Sequence, residues 1–159
     1  MTAPSAKKSE TGLSDGKYII TCAGYPDRVM DLSDGIATPE NPVIGYHPHG
    51  GHNQQWHVET PTDGQAQAIR SELQTNNNEP LYVADSKKKP YPQPIAVQLA
   101  RQTWSIESAG KVGDKDAYRI NYPGEDSVIT LPNNEEKTQL VRIPWTGEDN
   151  QKWYFDATT

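Results

Sequence analysis

Gln54-Gln55-Trp56, Gln102-Thr103-Trp104 and Gln151-Lys152-Trp153 place a glutamine two residues before a tryptophan three times in one chain. Trp104 follows Trp56 by 48 residues and Trp153 follows Trp104 by 49. Near-equal intervals of this length mark a recurring supersecondary unit. Each tryptophan opens an alternating stretch, Trp56-His57-Val58, Trp104-Ser105-Ile106 and Trp153-Tyr154-Phe155. Because side chains along a strand alternate between faces, the tryptophan and the residue two positions on are expected to point into one core.

The rest of the chain falls into phase with this period. Runs rich in Ile, Val, Leu and Tyr, bounded by turn residues, open each unit at 18–21, 66–71 and 118–122. Second runs follow at 29–32, 81–84 and 128–131, and third runs at 43–46, 95–99 and 139–143. With the tryptophan strands this predicts four short strands per unit and twelve in all. The units span about 16–62, 63–112 and 113–159, forming one domain after an N-terminal segment, 1–15, whose Ser, Thr, Lys, Pro and Gly give it little to bury.

Composition narrows the function classes. The chain has 159 residues, 33% hydrophobic, with 12 Gly and 13 Pro, which leaves room for one core and excludes a helical bundle. A net charge of -6 opposes binding to phosphate backbones and anionic membranes, so neither nucleic acid nor membrane insertion is expected. Cys22 is the sole cysteine, and the first 15 residues lack the apolar run of a signal peptide. Both features lead to the expectation of a cytoplasmic protein. Cys22 itself lies in an alternating strand and reads as a small buried apolar side chain. There is no phosphate-binding glycine loop, no Gly-x-Ser-x-Gly elbow and no His-Glu-x-x-His, so no catalytic residue, cofactor or enzymatic activity is expected.

Three four-stranded units marked by Gln-x-Trp resemble the β-trefoil of the ricin B-chain-like lectins, over residues 16 to about 156. The likeness is greatest to the small cytoplasmic lectins of mushrooms, through Arg28-Val29-Met30-Asp31-Leu32, Ile44-Gly45-Tyr46-His47 and Asn53-Gln54-Gln55-Trp56. Ser105-Ile106-Glu107-Ser108-Ala109-Gly110 and Thr130-Leu131-Pro132 add to it. The resemblance implies an all-β fold with pseudo-threefold symmetry. It also implies recognition of terminal galactose or N-acetylgalactosamine on glycans, a role in fungal defence, and multivalency through a homodimer.

By the same resemblance a sugar site falls in the first unit, at Asp31, Gly45, Tyr46, His47, His49, Asn53 and Gln54. The chemistry suits a galactose-type sugar. A carboxylate accepts from vicinal hydroxyls, an amide donates and accepts, and a ring covers the apolar C–H face. Asp31 and Asn53 are expected at exposed positions, with turn formation as the alternative role. Gln54, Gln102 and Gln151 also fit a structural role, their amides satisfying loop backbone groups. The third unit puts Thr130 where Asp31 stands, and the second has no carboxylate in register unless a bulge shifts Asp85, so a single site is expected.

His47, His49, His52 and His57 cluster in sequence, but with Pro48 and Gly50-Gly51 between them no metal site is expected, and sugar contact by His47 or His49 is the competing role. Trp145 reads either as an exposed platform or as packing for its own hairpin, and 87–94 as a stiff solvated loop. A second function class shares the scaffold: β-trefoil inhibitors of serine or cysteine proteases insert an exposed loop into the protease cleft. Here 23–28, 34–41 or 87–94 offer such a loop.

Overall fold

The computed structural model describes residues 13–62, 64, 66–88 and 90–159. Among them the strands are β1 (Gly16–Cys22), β2 (Val29–Leu32), β3 (Val43–Tyr46), β4 (Trp56–Glu59), β5 (Gln67–Gln74), β6 (Pro80–Asp85) and β7 (Gln93–Gln98). They continue with β8 (Thr103–Val112), β9 (Lys115–Asn121), β10 (Ser127–Thr130), β11 (Thr138–Gln139), β12 (Val141–Pro144) and β13 (Trp153–Ala157). Single 3-10 turns at Ser33–Gly35, His52–Gln54 and Asp149–Gln151 are the only helical segments among the described residues.

The antiparallel pairings close a ring. β1 pairs with β4, β4 with β5, β5 with β8, β8 with β9, β9 with β13, and β13 returns to β1. A closed barrel leaves no open sheet edge within it, which is how a small all-β chain avoids edge-to-edge association. The hairpins β2–β3, β6–β7 and β10–β12 stand outside the ring and are joined to one another through β11–β3 and β12–β7 pairing. Thirteen strands appear where twelve are expected because the third strand of the last unit divides at Leu140. β11 lies on β3, β12 lies on β7 and β10, and Leu140 between them donates to Val43 O at 2.9 Å and accepts from Ile95 N at 3.0 Å.

Trp56, Trp104 and Trp153 are fully buried. Each indole nitrogen donates to a backbone carbonyl in a hairpin: Trp56 to Met30 at 3.0 Å, Trp104 to Val83 at 3.0 Å and Trp153 to Ile129 at 3.1 Å. A buried indole contributes a large apolar area only if its N–H is paired, and these bonds meet that condition while tying barrel to hairpin. Val58 and Ile106 fill the inward positions as expected. Phe155 is only partly buried and packs edge-on between Tyr18 and Tyr118, each at 5.6 Å between ring centroids.

Cys22 is buried and its thiol is pushed up to about 11, chiefly by loss of hydration, which suits an inert packing side chain. The body begins earlier than Gly16. Leu13 is in the core, and the Asp15 carboxylate accepts from Thr60 N at 3.0 Å, while 1–12 lie outside the described residues. The 87–94 loop is also shorter than expected, since Gln93 and Pro94 already belong to β7.

Candidate functional site

The first hairpin and the turn before β4 make a depression of about 130 Å³ lined by Asp31, Asp34, Ile44, Tyr46, His49, Asn53 and Lys137. Asp31 comes from β2, and Ile44 and Tyr46 share one face of β3 by strand alternation. The turn His52–Gln54 carries Asn53 over Asp31.

Asp31 is not exposed. It is 1% accessible, with one carboxylate oxygen, Oδ1, accepting from Asn53 Nδ2 at 3.2 Å and the other, Oδ2, from Gln54 Nε2 at 2.8 Å. The expectation of an exposed aspartate fails because the residue sits between two hairpin strands and beneath the turn that holds Asn53. Burial raises its carboxyl above the usual range, against the lowering effects of the Gln54 bond and of His49, whose Nε2 lies 3.7 Å from Oδ2. Two oxygens with one protein donor each retain lone pairs for ligand hydroxyls.

Gln54 spends its whole amide inside the protein. Nε2 also donates to His47 O at 2.9 Å, and Oε1 accepts from the backbone N–H groups of His49 at 2.9 Å and Gly50 at 3.2 Å. It therefore positions Asp31 and the 47–50 loop instead of facing the depression. Asn53 Nδ2 donates in addition to Leu32 O at 3.1 Å. Gly45 points the other way along β3: a Cβ there would meet the Leu131 methyls at 2.8 and 2.9 Å, so its role is close packing against the core. His47 is not part of the lining. Its Nδ1 lies 2.6 Å from Glu136 Oε2, its backbone N donates to Glu136 Oε1, and its ring lies against Tyr46 at 4.3 Å between centroids. The His47 bond is the main cause that holds the Glu136 carboxyl below its usual range.

Sequence reasoning missed Ile44 and Lys137, and it gave position 34 within the 34–41 loop of the protease-inhibitor reading. Ile44 follows from alternation with Tyr46. Lys137 has no local signal, because it is 103 residues from Asp34, to whose Oδ1 its Nζ donates at 3.1 Å. The histidines disperse: His49 faces Asp31, His47 faces Glu136, His57 Nε2 lies 2.5 Å from Glu72 Oε1, and His52 is exposed. Among the described residues no three His, Cys, Asp or Glu side chains converge as a metal group. Trp145 is half-buried with the Arg119 guanidinium 4.8 Å from its ring centroid, so one face of the indole is already covered.

No family model matches the chain. The Rhizoctonia solani agglutinin superposes with a TM-score of 0.76 at 21% identity, over 92% of this chain and 98% of that one. The Macrolepiota procera ricin B-like lectin, solved in complex with lactose, gives 0.73 at 24% identity, over 93% and 100%. The chain has the fold of these ricin B-like lectins. The C-half of an earthworm R-type lectin, in complex with GalNAc, gives 0.65 at 18% identity, over 90% and 99%.

Within this β-trefoil the indole bonds align the three hairpins without reference to sequence. Asp31, Ala84 and Thr130 each follow the residue whose carbonyl accepts from a tryptophan. At Thr130 the hydroxyl takes the place of the carboxylate, accepting from Gln151 Nε2 at 3.2 Å, and Asn150 donates to Leu131 O at 3.1 Å just as Asn53 does to Leu32 O. In the second hairpin Ala84 has no acceptor. Asp85 does not replace it, because Arg142 holds its carboxylate with two bonds of 3.0 and 2.9 Å.

Proposed function

We propose that the protein is a lectin that binds glycans ending in galactose or N-acetylgalactosamine through the Asp31 depression. The observation that carries this reading is the Asp31 carboxylate at the floor of the depression, oriented by Asn53 and Gln54 and with unused lone pairs, beside the Tyr46 ring. Vicinal hydroxyls donate to the remaining lone pairs of the Asp31 carboxylate and to the Asn53 amide oxygen, whose Nδ2 hydrogens are already given to Asp31 and Leu32 O, and the ring covers the sugar's apolar face. The lactose and GalNAc complexes of the similarly folded lectins support this ligand class.

In the same reading the chain is three four-stranded repeats related by pseudo-threefold symmetry, supported by the recurrence of the indole bond, and only the first repeat keeps the carboxylate. A single shallow site binds weakly, so agglutination requires a second copy of the chain. A cytoplasmic lectin acting in fungal defence, without catalytic activity, is the setting this proposal assigns. A glycan array of the wild type beside Asp31→Ala tests it: binding to galactose or N-acetylgalactosamine termini that the variant loses is the expected result. Equal binding by both removes the depression from consideration, and silence from both directs the protein to a panel of serine and cysteine proteases.

A further inference from the structure

The replacement of Asp31 by Ala84 in the second hairpin leaves a donor without an acceptor. Gln102 Nε2 is buried and has no hydrogen-bond partner among the described residues. The amide cannot resolve this by turning over, because its Oε1 already accepts from Asp85 N at 3.0 Å. The equivalent glutamines both have a side-chain acceptor, Asp31 for Gln54 and Thr130 for Gln151. A buried polar group is normally paired, so an acceptor brought from outside has a defined place here.

That place adjoins a cleft of about 560 Å³, which Ala84 and Gln102 both line. Its lining includes Leu99, Ala100 and Arg101, with Leu99 44% exposed, and Tyr122. The carboxylates nearby are engaged. Asp85 is bound by Arg142, which itself lies 4.2 Å from the Tyr122 ring centroid, and Glu40 accepts from Ser86, Lys87 N and Gln98. Arg101 and Lys87 bring positive charge to the lining. An orphaned N–H, two cations and an apolar wall form a different recognition chemistry from the first hairpin, where the floor is itself an anion.

We propose that this cleft binds a small carboxylate with an apolar body. The carboxylate accepts from Gln102 Nε2 and pairs with Arg101, while the hydrocarbon covers Leu99, Ala100 and Tyr122. The site is independent of the sugar reading and uses none of its residues.

Sodium octanoate titrated into the ¹⁵N-labelled full chain, with octanamide as the neutral isostere and lactose as the sugar control, tests the proposal. Octanoate is expected to shift the Gln102 side-chain amide resonances in a saturable manner and to bind at least about fivefold more tightly than octanamide. Ala84→Asp supplies the missing acceptor from within the protein, as Asp31 does for Gln54, and is expected to abolish the shift. Arg101→Gln changes an exposed side chain, leaves folding intact and is expected to remove the preference for octanoate over octanamide. Gln102 resonances that do not move with octanoate, equal binding of octanoate and octanamide, or stronger perturbation by lactose would each overturn the proposal.

Discussion

Gln54 Nε2 donates to Asp31 Oδ2 at 2.8 Å from a position 23 residues later in the chain, and by that bond a barrel-side turn sets the orientation of a hairpin carboxylate. Gln151 makes the same bond to Thr130, with a hydroxyl in place of the acid. The structural task at this position is thus separable from the charge.

Asp31→Thr should therefore keep the fold and lose the sugar. The hydroxyl replaces one acceptor, and Gln54 and Asn53 retain their bonds to His47 O and Leu32 O, so the expected loss of stability is no more than about 1 kcal/mol. Urea denaturation and lactose titration by calorimetry measure the two effects on one sample. Retained lactose affinity would show that the carboxylate is not the recognition group.

Acidification should weaken lactose binding. Burial raises the Asp31 carboxyl above the 3.8 of an ordinary aspartate, so the acceptor form disappears as pH falls through this raised value. The linkage for stability has the opposite sign. A folded-state value above the unfolded one means that the native state takes up the proton first, so this residue adds stability on acidification through the same window. Lactose affinity against pH, compared with the ¹³C titration of the Asp31 carboxyl, checks both signs.

Glu136→Gln should act on the loop that carries His47 and His49. The pair is exposed, so global melting is expected to change little, and lactose affinity to fall by no more than about fivefold. The Glu136 carboxyl is held below its usual range, so the pairing is present above the unfolded value and is lost as pH falls through the lower folded one. Backbone ¹⁵N relaxation of 47–50 in the variant reports the loosening.

Trp104→Ala should cost about 3–5 kcal/mol, since it empties a fully buried site and leaves Val83 O without its donor. Gly45→Ala should cost about 1–3 kcal/mol by pressing a methyl into the Leu131 side chain, with no change in the residues lining the depression. Urea midpoints of the two variants measure these losses, and a small loss at Trp104 would contradict its place in the core.

The strand positions and the buried tryptophans were legible in the chain because both follow from local rules: alternation of side chains across a strand, and a tripeptide repeated at one interval. Asp31, Tyr46, His49 and Asn53 were also legible as neighbours, since one hairpin and one turn bring them together. Local alternation could not show that Leu140 divides a strand, because its N–H donates to Val43 O in one hairpin while its carbonyl accepts from Ile95 N in another. It could not place Lys137 and Glu136 at the first hairpin either, more than 80 residues from their partners. Those contacts, the burial of Asp31 and the orphaned amide of Gln102 were decided only when the barrel closed. Periodicity along a chain records which face a side chain takes, whereas the identity of the group it meets there depends on which distant segment the closed sheet brings opposite.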